Sequence, residues 1–187
     1  MPRGARVLDL GSGDGELLAH LAAERDCAVS GIEQSDDGFF ACVARGVPVI
    51  QADIDRGLAD YEDASFDVVV LSQTLQATHK PSLVLAEMMR TGRAGIVSFQ
   101  NFGYWPHRLD LALRGRMPVS AALPHAWHDT PNIHLCTIRD FERLARELSL
   151  KVTRRILLDG DGEEATGRLV RLRPNALAAG AVYGLQR

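Results

Sequence analysis

Val7-Leu-Asp-Leu-Gly-Ser-Gly-Asp-Gly-Glu16 decides how the rest of the chain is read. A short, mainly apolar run passes directly into three alternate glycines, as a buried parallel strand does where it opens a ligand-binding turn. Gly11 and Gly13 let the backbone turn tightly and come close to a ligand, because no Cβ intervenes. Leu17, Leu18, Leu21 and Ala22 then recur at helical spacing, so a helix follows the turn.

Working outward, strands and helices alternate. Ala28 to Ile32 reads as a second strand closed by Glu33, Asp36 to Arg45 as a helix ended by Gly46, and Val47 to Gln51 as a third strand. Phe66 to Ser72, with three consecutive valines, is the strongest strand. Pro81 opens a helix at its first turn, where a missing amide costs nothing, and that helix stops near Gly92. Gly95 to Phe99 is a fifth strand. Such alternation predicts βαβ units, an α/β class and a mostly parallel sheet. From Asn101 to Cys136 the rhythm breaks: four prolines, both tryptophans and four of the six histidines give a long, partly ordered excursion. Thr137 and Asp140 then suit the start of a helix reaching about Ser149, since the hydroxyl accepts from first-turn amides and the acid favours the dipole. Lys151 to Leu158 is strand-like, and Ala176 to Leu185 reads as a last strand.

The glycine turn alone is a weak signal, because its G-x-G-x-G spacing only approximates the G-x-G-x-x-G of dinucleotide sites. Its acids are more telling. Asp9, Asp14 and Glu16 crowd the turn and would repel a diphosphate. They suit a cofactor with a cationic amine and a sulfonium and no phosphate, which points to S-adenosylmethionine or its product S-adenosylhomocysteine. Glu33, followed by Gln34, stands where a carboxylate accepts from both ribose hydroxyls, a feature shared with nicotinamide sites. After the third strand, Asp53 is placed to accept from an adenine amino group and Ile54 to pack on the ring. Leu71 and Ser72 end the valine-rich strand. The expected cofactor set is therefore Asp9, Gly11, Ser12, Gly13, Glu33, Gln34, Asp53, Ile54, Leu71 and Ser72. Taken singly, Asp9 also reads as a turn-stabilising acid and Asp53 as a helix cap.

The 187 residues suffice for one α/β domain, residues 1–187, with 100–136 as a lid or substrate-side excursion. No apolar run approaches the roughly 20 residues of a membrane-spanning helix. Met-Pro-Arg-Gly leading straight into a strand has no signal-peptide pattern, which gives a cytoplasmic expectation. Cys27, Cys42 and Cys136 are odd in number and form no CxxC pair, so free thiols in a reducing compartment are expected and no metal site. Charge is uneven: residues 1–92 hold 7 basic and 15 acidic side chains, whereas residues 93–187 hold 14 and 9. The basic half reads either as a solvated face or as a surface for an acidic partner. Negative net charge, no basic run with interleaved aromatics, and Leu71-Ser-Gln-Thr where amino-methylating enzymes carry Asn/Asp-Pro-Pro-Tyr all argue against nucleic acid.

Longer blocks carry a resemblance. The first 100 residues look like the class I methyltransferase core, a Rossmann-like fold whose mostly parallel seven-stranded sheet has an antiparallel last strand. The chain more specifically resembles the MetW family of methionine-biosynthesis proteins. The matching blocks include Arg6 to Leu18, Ala41 to Val47, Val49 to Asp53, Leu71 to Ala77, Gly95 to Phe99, Asn101 to Gly103, Leu113-Arg-Gly-Arg-Met-Pro-Val119 and Asp129-Thr-Pro-Asn-Ile-His-Leu-Cys-Thr-Ile-Arg-Asp-Phe141. The last two lie outside the general methyltransferase motifs and carry most of the specificity. The resemblance implies a role in methionine biosynthesis linked to homoserine O-acetyltransferase (MetX), and names no methyl acceptor. Two departures stand out. Met1 lies almost on the first strand where the family usually has a helix, which would open one side of the crevice. Gln100 and Tyr104-Trp105 stand where the family usually has Pro and a His-Trp pair.

On the acceptor side His134 has two readings, a base or carboxylate-orienting group for a small-molecule acceptor, or a buried histidine bonding a loop carbonyl. Gln73 and Gln76 would position a substrate or cap a helix. His107, His125 and His128 lack the helical i, i+4 spacing of a metal pair. Arg108, Arg114 and Arg116 read as a solvated face or as an anion- or partner-binding group. Two functions remain: a cofactor-binding partner of MetX, or an active methyltransferase on a small molecule.

Overall fold

A computed structural model describes residues 1–187. Seven strands, β1 (Arg6–Leu10), β2 (Ala28–Glu33), β3 (Val49–Gln51), β4 (Phe66–Ser72), β5 (Gly92–Gln100), β6 (Lys151–Leu158) and β7 (Gly180–Gln186), form one sheet in the order β3-β2-β1-β4-β5-β7-β6. β7 alone runs against its neighbours, antiparallel to both β5 and β6. The class I methyltransferase topology expected from the sequence is thus the one observed. The chain steps outward from β1 through β2 to β3, then returns to place β4 on the other side of β1. That reversal leaves a crevice beyond the carboxyl ends of β1 and β4.

Period-two alternation along the central strands builds two apolar layers. Leu8, Leu10, Val69, Leu71, Val97 and Phe99 share one layer with residues of α3 (Pro81–Thr91) and α5 (Ile138–Glu147). Within it Phe99, Phe141 and Tyr183 pack ring on ring, with centroids 4.7–5.9 Å apart. Val7, Val68 and Val70 face the smaller layer, against α1 (Glu16–Arg25) and α2 (Asp36–Ala44). α3 begins with Pro81 in its first turn, and Thr137 and Asp140 form a reciprocal capping box on α5.

Two segments differ from expectation. The excursion is more ordered than its proline and aromatic content suggests: α4 spans Trp105–Arg114, with Pro106 in its first turn and Gly115 closing it in the left-handed region. The final strand begins only at Gly180, because Pro174–Leu177 winds into a helical turn, α7, after the short α6 (Arg168–Leu172). The apolar run Ala176-Leu-Ala-Ala fits either state, and Pro174 at the first helical position decides it.

Asn101, fully buried just beyond β5, joins these parts. Its amide donates to the carbonyls of Asn175 (3.1 Å) and Ala178 (2.7 Å), and its Oδ1 accepts from the backbone of Gly103 (2.9 Å) and Ile138 (3.3 Å).

Candidate functional site

The crevice is about 250 Å³ and lies over the glycine turn. Gly11 and Gly13 form one wall, Glu33 and Gln34 the end of β2, Ile54 and Asp55 the turn after β3, and Gln73, Thr74 and Thr78 the segment after β4. Pro131 closes it from the excursion. The turn is held against β2 by Gly11 and Ser12, whose amides both donate to the Ile32 carbonyl (2.8 and 3.0 Å). Gly11 sits at φ +81°, and a Cβ there would lie 2.5 Å from Thr74 Oγ1 and Cγ2. Gly11→Ala should therefore destabilise the chain by about 2–4 kcal/mol, by adding left-handed strain to a collision. Chemical denaturation would measure it. Adding Thr74→Ala should recover the collision part alone.

Glu33 is the best-anchored acid. Its Oε2 accepts from the Gly13 amide (2.8 Å), and its Oε1 from the Ser35 amide (2.9 Å) and hydroxyl (2.8 Å). A carboxylate has about four acceptor positions. Three are already taken, so one on Oε2 is free for a ligand hydroxyl, where the sequence suggested room for two.

Asp9 is different. It is 2% exposed, and its Oδ1 has no hydrogen-bond partner. Burial, reinforced by the charge of Glu33, pushes its carboxyl up to about 7. Ser12, also buried, donates its hydroxyl to the Asp9 carbonyl (3.1 Å).

The crowd of acids inferred from the sequence is smaller than it looked. Asp14 faces away: its Oδ2 pairs with Arg45 at 2.6 Å and its Oδ1 accepts from the Glu16 amide (3.2 Å). These bonds, the Glu16 amide first, hold its carboxyl below the usual range. Glu33 and Asp55 are the acids on the crevice wall, and Asp9 adds its charge only as pH rises through about 7.

Other expected residues separate into two groups. Gly11, Gly13, Glu33, Gln34 and Ile54 line the crevice; Asp53, Leu71 and Ser72 do not, and Asp9 and Ser12 lie buried at the turn, outside its lining. Asp53 instead caps the 3-10 turn Ile54–Arg56, accepting from the Asp55 amide (2.9 Å). Leu71 is buried in the core, and the Ser72 hydroxyl pairs with that of Ser98 (3.1 Å). Asp55 lines the crevice unforeseen, but its carboxylate already accepts from the His79 (2.8 Å) and Lys80 (2.7 Å) amides ahead of α3.

Gln73 faces the crevice and caps no helix. It holds φ +57° at the end of β4, rare for a residue with a side chain, and its amide bonds both the carbonyl and the hydroxyl of Ser98 (3.1 and 3.0 Å). It lines the crevice and a neighbouring cavity that also contains Gln100. Gln100 in turn lines an apolar cavity of about 290 Å³ with Phe102, Met117, Leu123 and Trp127. Gln76 is structural. Its carbonyl accepts from the amides of Ile133 (2.8 Å) and His134 (2.9 Å), and its Oε1 from the Gln100 amide (3.0 Å), fastening the excursion to the sheet.

His134 is exposed and lines a separate small cavity with Cys136 and Pro81, outside the crevice. The remaining excursion histidines do not converge. His107 is buried and bonds Ser120 (3.0 Å), His125 lines the apolar cavity, and His128 stacks edge-on against Trp127.

This geometry sits on a chain whose residues 1–185 match the family described as "Methionine biosynthesis protein MetW". The chain belongs to the MetW family. Among curated proteins it is 35% identical over 170 residues to the bifunctional methionine biosynthesis protein MetXA/MetW of Rhodopirellula baltica, covering 86% of this chain and 27% of that protein. It is 30% identical over 132 residues to a ubiquinone biosynthesis O-methyltransferase of Hahella chejuensis, covering 67% and 55%. The chain thus spans about a quarter of the one relative and about half of the other. Solved structures of similar fold include an S-adenosylmethionine-dependent methyltransferase of Archaeoglobus fulgidus (TM-score 0.70, 13% identity, 100% of this chain and 86% of that one). Another is from Thermotoga maritima (0.67, 18%, 100% and 83%). The [4+2]-cyclase SpnF is a third (0.68, 14%, 100% and 76%). Identities this low establish fold alone, and a cyclase among these neighbours cautions against reading a reaction from it. In this MetW-family chain Tyr104 meets the His107 ring edge-on and Trp105 is half exposed at the start of α4. No helix is long and apolar enough to cross a membrane.

Proposed function

We propose that this chain binds S-adenosylmethionine or S-adenosylhomocysteine in the crevice, and that it acts in methionine biosynthesis by supporting or regulating homoserine O-acetyltransferase (MetX). The observation that carries the cofactor reading is Asp9: a buried carboxylate with an orphaned oxygen, at the root of a glycine turn, fits a cationic ligand group. Glu33 offers its free acceptor position to a ribose hydroxyl, Gly13 presents open backbone, and Ile54 offers an apolar edge to a base. Asp53 in this reading acts through the turn it caps rather than by touching adenine. Leu71 and Ser72 act as the rigid end of β4. When bound, S-adenosylmethionine supplies a sulfonium-activated methyl group. The residues then orient it and exclude water, with residues 100–136 as the lid of a single 1–187 domain. The absence of a membrane-spanning helix and the three free cysteines suit the cytoplasm as the place of action.

The name of the Rhodopirellula relative, which joins MetXA to MetW, supports the partnership. Affinity of the chain for S-adenosylmethionine should change when MetX is added, and affinity for MetX should change by the same factor when cofactor is added. Paired calorimetric titrations test this. No complex at about 10 µM of each protein, with or without cofactor, would count decisively against the partnership.

The apolar cavity favours a second reading, methyl transfer to a small-molecule acceptor, since it adjoins the Gln73–Gln100 wall. His125 is its one titratable lining residue, and His134, exposed and outside the crevice, is a poorer base. Transfer of labelled methyl groups to a metabolite extract checks this reading; no labelled product across extracts would sink it.

A further inference from the structure

A cleft of about 560 Å³ between α5, β6 and the α6–α7 turn is lined by five arginines, Arg108, Arg139, Arg155, Arg171 and Arg173, and a single acid, Glu142. It shares no lining residue with the crevice. From it we infer a second ligand site, for a small polyanion carrying two or more phosphoryl groups.

The charge does not cancel locally. Glu142 is already engaged, its Oε1 accepting from Arg155 (2.9 Å) and from the Tyr183 hydroxyl (2.8 Å). None of the nine ion pairs in the chain includes Arg108, Arg139, Arg171 or Arg173. Four guanidinium groups therefore share one concave wall without a carboxylate partner. Gathering like charges in a cleft costs stability and raises its potential, an arrangement that an anion relieves. The arginine group suggested by the sequence splits accordingly: Arg108 turns into this cleft, while Arg114 pairs with Asp110 at 2.8 Å on the outer side of α4.

The cleft is also held in shape. Asn175 accepts at its carbonyl from Arg108 (3.3 Å) and from the buried Asn101 (3.1 Å), and at its Oδ1 from the Arg139 amide (3.1 Å). The first amides of α5 are thereby used up: Ile138 donates to Asn101, Arg139 to Asn175 and Asp140 to Thr137. The arginine side chains are left as the donors. Planar guanidinium forks match phosphoryl oxygens in pairs, so several of them favour a ligand with more than one such group. A concave, charged wall with little apolar surface suits a small anion better than a protein partner, whose interface centre is apolar.

The probe is inorganic tripolyphosphate, titrated calorimetrically into the full chain at about 0.15 M salt. Saturable binding is expected, weakened at least about 10-fold by Arg139→Gln with Arg173→Gln and unchanged by Arg114→Gln with Arg116→Gln. Both double variants should melt within about 2 °C of the wild type, because the only bond lost is the exposed Arg114–Asp110 pair. Absence of saturable binding to the wild type, or equal affinity in the wild type and the Arg139/Arg173 variant, would overturn the site. Asp9→Asn should leave tripolyphosphate binding intact, so failure here is distinguishable from failure of the cofactor reading.

Discussion

Asp9→Asn will make the unliganded chain more stable above neutral pH and unable to hold S-adenosylmethionine tightly. Burial raises the Asp9 carboxyl from 3.8 in the unfolded chain to about 7 in the folded one. Between those pH values the folded chain keeps a proton that the unfolded chain has released. The contribution of Asp9 is thus fully present below the unfolded value and is lost as pH rises through about 7. An amide is neutral throughout, so the variant and the wild type should be equally stable near pH 4. By pH 8 they should differ by about 2–4 kcal/mol in favour of the variant. Urea denaturation at the two pH values measures the difference. A variant less stable than the wild type at pH 8 would show that the carboxylate has a stabilising partner after all. The same carboxylate should make cofactor affinity rise with pH across neutrality, since a cationic group binds the deprotonated form. That dependence should disappear in Asp9→Asn. Stability given up at one position for binding is the usual signature of a functional group in a core.

Asn101→Ala should be the most destabilising single change away from the crevice. Four hydrogen bonds converge on this fully buried amide, and truncation would strand the carbonyl of Ala178 and the amides of Gly103 and Ile138 without partners. Each buried polar group left unpaired costs about 1–3 kcal/mol, and partial relaxation leaves an expected total of about 3–5 kcal/mol. Asn101→Asp, measured at acid pH where the new carboxyl is neutral, keeps the acceptor and one of the two donors, so it should fall between the wild type and alanine. A loss below about 1 kcal/mol for the alanine variant would mean that water replaces the amide. Because Asn101 also positions Asn175 and the start of α5, the arginine cleft should lose its shape in the alanine variant.

These two residues mark what the sequence made legible and what it did not. Asp9 could be read, because its meaning is local: an acid two positions before a glycine turn at a strand end. The strands around it were equally clear, since β1 and β4 are short apolar runs buried on both faces, and the topology follows from their alternation with helices. Asn101 could be quoted but not understood. Its partners lie at residues 103, 138, 175 and 178, so its role exists only after the chain has folded. Gln76, which fastens residues more than 50 positions away, is hidden for the same reason. The exchange of Asp53 for Asp55 at the crevice wall has a different origin. Two acids two positions apart are equivalent in sequence, and only the phase of the 3-10 turn decides which side chain caps and which faces inward. In α4, proline and aromatic content concealed a helix whose own signals, Pro106 in the first turn and Gly115 at the end, were present.

Asp9, the glycine turn and Glu33 together make the crevice the proposed seat of S-adenosylmethionine. Calorimetric titration of the unmodified chain with this compound tests it most directly. Saturable binding is expected at one site per chain, with a dissociation constant of about 1–100 µM at pH 8. No measurable heat with the cofactor at about 1 mM, or binding that Glu33→Ala and Asp9→Asn leave unchanged, would contradict it.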